Sequence, residues 1–109
     1  MEIAFRDGAL KRLCEEAKAA QRALGTASAR KLRARLADLR AAACVSHLVA
    51  GRPHPLKGDR AGEFSVDLSG GDRLVFVPDH DPVPSKEDGS VDWDSVTNVR
   101  VVFVGDYHD

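Results

Sequence analysis

Apolar positions recur along this chain at two different intervals, and the change from one to the other divides it. Met1–Phe5 alternates apolar and polar residues and predicts a short strand. Asp7 follows, with a carboxylate suited to cap a helix, and Leu10, Leu13, Cys14, Ala17 and Leu24 then fall at helical spacing. Gly25 predicts the end of that helix, and Thr26 is placed to cap the next. Leu32, Leu36, Leu39 and Ala43 line one face of the second helix, with Arg30, Lys31, Arg33, Arg35 and Arg40 around the remainder. Val45, Leu48 and Val49 carry the apolar pattern on to Gly51. Two apolar stripes joined by so short a connection predict an antiparallel helical hairpin.

Beyond Gly51 the interval falls to two. Phe64, Val66 and Leu68 alternate with Ser65, Asp67 and Ser69, the pattern of a half-buried strand. Gly70-Gly71-Asp72 is a hairpin turn signal, and Arg73–Val77 is the returning strand. Residues 78–95 combine three prolines with a cluster of acidic side chains, so they predict a long acidic loop or hairpin tip. Val96–Val104 is rich in β-branched residues and returns to the sheet. The order β-α-α-β-β-β, with the helices on one face of a mainly antiparallel sheet, is an α+β fold.

Composition narrows the class. A chain of 109 residues is expected to form one domain, 1–109, with residues 78–95 as an insertion. Apolar content of 43% and charged content of 30% are globular values and exclude wholesale disorder. No apolar run approaches the roughly 20 residues of a membrane span, and no leader pattern opens the chain, so a soluble cytoplasmic protein is expected. Cys14 and Cys44 lack metal-ligand spacing and are expected to be reduced. The net charge of −1 hides an asymmetry: residues 1–62 carry a balance of +7 and residues 63–109 one of −8. Such a chain can offer a basic face to nucleic acid or to an acidic partner, or simply solvate both halves.

Candidate chemistry lies in three places. The segment RPHPLKGDR, 52–60, is stiffened by Pro53 and Pro55 and carries His54, Lys57 and Arg60. It is either a basic connector or a cradle for phosphate. Arg73 opens a strand beside Leu74, Val75 and Phe76; it is either paired with Asp72 or Asp106, or emerges into a cleft as a bidentate phosphate ligand. At the chain end, Tyr107 and His108 follow directly on a β-rich run, and the imidazole can exchange protons near neutrality. His47 and His80 have no assigned role.

Cations, a histidine and a tyrosine without a metal cluster suit cleavage of RNA, which carries its own nucleophile in the 2′-hydroxyl. The enzyme then removes that proton, stabilises the crowded phosphorane and protonates the leaving 5′ oxygen. GxxxxGK[ST], HExxH and CxxC motifs are absent, so nucleotide hydrolysis and zinc chemistry have no support; no metal or cofactor is expected.

The segments HPLKGDRAGEFSVDL and GGDRLVF, the terminal DYH and the element order resemble the HigB-type killer-protein branch of the RelE/ParE toxin superfamily. The stretch PVPSKEDGSVDWDSVTNVRVVFVGDYH is similar to a subgroup with a long acidic insertion before the final strand. The resemblance implies a bacterial type II toxin–antitoxin component, a metal-free, ribosome-dependent endoribonuclease acting on mRNA. Its implied partners are the ribosome, mRNA and a helix-turn-helix antitoxin that silences it, with DNA reached only through the antitoxin and no membrane. It further implies that Lys57 and Arg60 contact RNA phosphate, that Arg73 stabilises transition-state charge, and that Tyr107 and His108 transfer protons or position a base, with His54 in support. Members of the branch commonly place an aromatic before the strand arginine; here Asp72 stands there, where it either orients or neutralises Arg73. Two other readings stay open: a non-nucleolytic inhibitor like the gyrase-directed members, and a degenerate toxin that still binds its antitoxin.

Overall fold

The computed structural model describes residues 1–106. Its strands are β1 (Glu2–Phe5), β2 (His54–Pro55), β3 (Phe64–Asp67), β4 (Asp72–Pro78) and β5 (Asn98–Asp106); its helices are α1 (Gly8–Glu15) and α2 (Ala17–Ala41). The strands form one sheet in the order β1-β5-β4-β3-β2. Only β1 runs parallel to its neighbour, β5, so the sheet is mainly antiparallel and the α+β expectation holds.

The helical hairpin forms with two differences. Asp7 caps α1 as its position predicts: Asp7 Oδ1 accepts from the Leu10 amide at 2.9 Å, and that hydrogen bond is the main reason its pKa is lowered. The continuous first helix, however, breaks at Glu16, whose backbone is extended at φ −110°, ψ 114°. Gly25 then separates the two arms of α2 at φ +82°, a left-handed conformation that costs glycine least. The second arm stops at Ala41 rather than running towards Gly51. The Val45 amide donates to the carbonyl of Val96, two residues before β5, at 3.1 Å, and the chain there forms a single 3-10 turn, Val45–His47. Val45 is buried there, whereas Ala43 is exposed outside the helix and Val49 is 86% exposed.

One face of the sheet carries the core. Leu10, Ala20, Leu32, Leu36 and Leu39 pack with Phe64, Val66, Leu74, Phe76, Val99 and Val101. Burying each large side chain contributes roughly 1.5–3 kcal/mol, enough together to fix the helices to this face. Phe64 stacks on Phe76 at 5.5 Å and meets Trp93 at 4.8 Å between centroids.

The acidic segment is a hairpin-like excursion rather than an open loop. The Asp92 amide donates to Pro84 O and the Lys86 amide to Ser90 O, flanking a Ser85–Val91 bridge. His80 ties its root: Nε2 accepts from the Thr97 and Asn98 amides at 3.0 and 3.2 Å. Among the described residues no helix is long and apolar enough to cross a membrane.

Candidate functional site

The sheet's other face is set by register. In an antiparallel ladder directly paired residues share a face, so His54, Ser65, Val75 and Phe103 form one row across β2, β3, β4 and β5. Asp67, Arg73 and Gly105 form the next row. The ladder shifts register between Val75 and Phe76, so Val102 is left opposite no residue of β4, a bulge beside these rows. Ser65 and Val75 are fully buried, and Ser65 Oγ has no hydrogen-bond partner among the described residues.

Alternation sends the neighbours Asp72 and Arg73 to opposite faces. The Asp72 carboxylate accepts from Ser28 Oγ at 2.6 Å, on the side where α2 packs. Only its backbone carbonyl touches Arg73, accepting from Nη1 at 3.3 Å. Asp72 is therefore not the carboxylate partner of Arg73. That partner is Asp67, whose Oδ1 lies 3.1 Å from Arg73 Nε. Both side chains are about a quarter exposed, at 25% and 26%, so the pair is desolvated but reachable. Arg73 Nη2 has no protein partner among the described residues, which leaves its two N–H groups for an anion.

The 52–60 segment folds onto the same face. Its first strand residues, His54 and Pro55, pair with β3, and Gly58–Arg60 form a 3-10 turn. The segment thus contains a strand that its prolines and charges did not suggest. His54 Nδ1 lies 2.8 Å from the Arg52 carbonyl, an acceptor, so the Nδ1–H tautomer is selected. Nε2 then keeps a lone pair able to take a proton. The Arg60 guanidinium lies 5.5 Å from the centroid of the Phe103 ring, and its Nη1 donates to Glu63 Oε1 at 2.9 Å. Lys57 is exposed just before the 3-10 turn and makes no side-chain ion pair among the described residues.

His54, Arg60 and Arg73 are therefore brought to one face, with Lys57 on the rim. Tyr107 and His108 lie outside the described residues. Sequence reading missed Asp67, Ser65 and Phe103. Counting from a two-residue Gly70-Gly71 turn would have set Leu68 opposite Arg73; the Leu68 amide instead donates to the Asp72 carbonyl, and this longer connection brings Asp67 there.

Other reactive groups stand apart. Cys14 borders a cavity of about 570 Å³ between the helices, with Ala20, Leu32 and Arg40. Burial pushes its thiol up to about 12, so it is not a thiolate at neutral pH. Both cysteines are free thiols. Among the described residues no group of three His, Cys, Asp or Glu side chains is arranged to hold a metal ion.

The sequence matches no protein-family model and no curated protein sequence. Solved structures do match over the whole chain. A YoeB/ParE toxin from Agrobacterium tumefaciens superposes with a TM-score of 0.60 at 17% identity, covering 99% of this chain and 100% of that one. The YoeB–YefM complex from Staphylococcus aureus gives 0.58 at 16% identity, covering 100% and 98%. The YoeB dimer from the same organism gives 0.57 at 17%, again covering 100% and 98%. The chain has the fold found in YoeB and ParE toxins.

Proposed function

We propose that this protein is the toxin of a type II toxin–antitoxin system, of the HigB-like branch of the RelE/ParE superfamily, and that it cleaves mRNA on the ribosome without a metal. The observation that carries the reading is the meeting of His54, Arg60 and Arg73 on one face of a YoeB/ParE-type fold. His54 Nε2 accepts the 2′-hydroxyl proton, in the tautomer that the Arg52 carbonyl selects. Arg73 Nη2 faces the charge that develops on the phosphorane, and Lys57 and Arg60 hold the flanking phosphates. Tyr107 and His108 are assigned to protonating the leaving oxygen or to positioning the base. A solved relative is a YoeB–YefM complex, which supports an antitoxin partner here, of the helix-turn-helix class.

The test is induced expression in bacteria with mapping of mRNA 5′ ends. Translation-dependent cleavage is expected, and Lys57→Ala and Arg73→Ala are expected to relieve growth arrest while still binding antitoxin. Full toxicity in both variants would remove the site assignment. A second reading, an inactive homologue, is favoured by one observation: Asp67 neutralises Arg73 at 3.1 Å. It predicts no growth effect and no cleavage.

A further inference from the structure

Asp67 does more than face Arg73. Its second oxygen, Oδ2, accepts from Arg52 Nε at 3.0 Å. Its backbone amide donates to the Gly51 carbonyl at 2.7 Å. These bonds fix a turn the backbone would not favour by itself, because Arg52 is the one non-glycine residue with positive φ among the described residues, at +49°. Gly51 lies at φ +84°, and a Cβ there would sit 2.5 Å from Val66 Cγ1. The Arg52 carbonyl in turn holds His54 Nδ1 at 2.8 Å. One connected set of polar contacts therefore runs from Arg73 through Asp67 and Arg52 to His54, crossing from β4 to β2.

We propose that Asp67 is a positioning residue that locks the Arg73 guanidinium and the His54 imidazole into one spacing across the sheet. Its Oδ1 lies 3.1 Å from Arg73 Nε in an ion pair without hydrogen-bond geometry, and the Asp72 carbonyl accepts from Nη1, so charge on one side and a hydrogen bond on the other restrain the guanidinium. The same carboxylate anchors the root of the segment that carries His54, Lys57 and Arg60. A phosphodiester thus meets a cation and a proton acceptor whose separation is set before it arrives. This rests on the nucleolytic reading above and opposes the idea that Asp67 only cancels the charge of Arg73.

The two accounts predict opposite signs for Asp67→Asn. Cleavage of mRNA on purified ribosomes is measured for the wild type, Asp67→Asn, Arg73→Ala and the double variant, each checked for folding by urea denaturation. Positioning predicts that Asp67→Asn lowers kcat about 10- to 100-fold with KM little changed, the range expected from small misplacements of a catalytic group. In the Arg73→Ala background it predicts no further loss. Cleavage equal to or faster than wild type overturns the proposal, as does a loss that persists in full without Arg73. The Arg73 Nε–H resonance in ¹⁵N-resolved NMR spectra provides a readout separate from activity, expected to shift or vanish in Asp67→Asn. If the wild type cleaves no mRNA, the nucleolytic reading fails, and an unchanged Arg73 resonance in the variant would then overturn the positioning claim as well.

Discussion

The two faces of the sheet use the same strands for different ends. Towards the helices, β3, β4 and β5 present Phe64, Val66, Leu74, Phe76, Val99 and Val101, all buried. Away from them the same strands present Ser65, Asp67, Arg73, Val75 and Phe103. A change of one residue along β4 therefore moves from the group that holds α2 to the group that pairs with Asp67 on the other face. Asp72 and Arg73 show it most sharply: one carboxylate bonds Ser28, and the adjacent guanidinium pairs with Asp67 across the ladder. Opposite charges next to each other in sequence do not form a pair here, because alternation outweighs adjacency.

The comparison breaks if substitutions on the two faces have the same consequence. The largest effect is expected from Phe76→Ala, which empties the centre of the helix-covered face: about 3–5 kcal/mol lost in urea unfolding. Arg73→Ala is expected to slow mRNA cleavage about 100- to 1,000-fold, as for loss of a preorganised charge-stabilising donor, with the urea midpoint almost unmoved. Ser28→Ala removes the partner of the Asp72 carboxylate and should cost about 1.5–3 kcal/mol of stability, the range for hydrogen bonds to charged groups. Its cleavage rate per folded molecule should stay at the wild-type level. A large loss of cleavage there would mean that Asp72 acts on Arg73 after all.

The smallest effect concerns acid stability on the helix side. The Leu10 amide holds the Asp7 carboxyl below its ordinary value of 3.8. A depressed folded-state pKa contributes stability that is complete above the unfolded value and is lost as pH falls through the folded one. Asp7→Asn should therefore melt with a slightly shallower dependence on pH below about 4, measured as Tm in scans across that range. An unchanged slope would mean that the cap contributes nothing that titrates.

Much of this plan was legible in the chain. The alternation of Phe64–Leu68 and Arg73–Val77, the Asp7 cap and the interruption at Gly25 all rest on local rules and appear where expected. The break at Glu16 and the end of α2 at Ala41 were not legible, because nothing local distinguishes those residues from good helix formers. The Val45–Val96 hydrogen bond, between residues far apart in the chain, decides the second of them. His54–Pro55 was hidden as a strand by its prolines, since an edge position tolerates a missing amide that a central strand would need.

The sequence by itself determined the fold class and most of the elements, and it marked Lys57, Arg60, His54 and Arg73 as chemistry-bearing residues. Periodicity, capping and turn residues act within a few positions, so they can be read from neighbours alone. Only the tertiary structure decided which of these groups share a surface and which carboxylate Arg73 meets. Asp67, Arg52 and His54 are joined by register and by one left-handed turn, and those depend on strands that the chain brings together only when the core has closed.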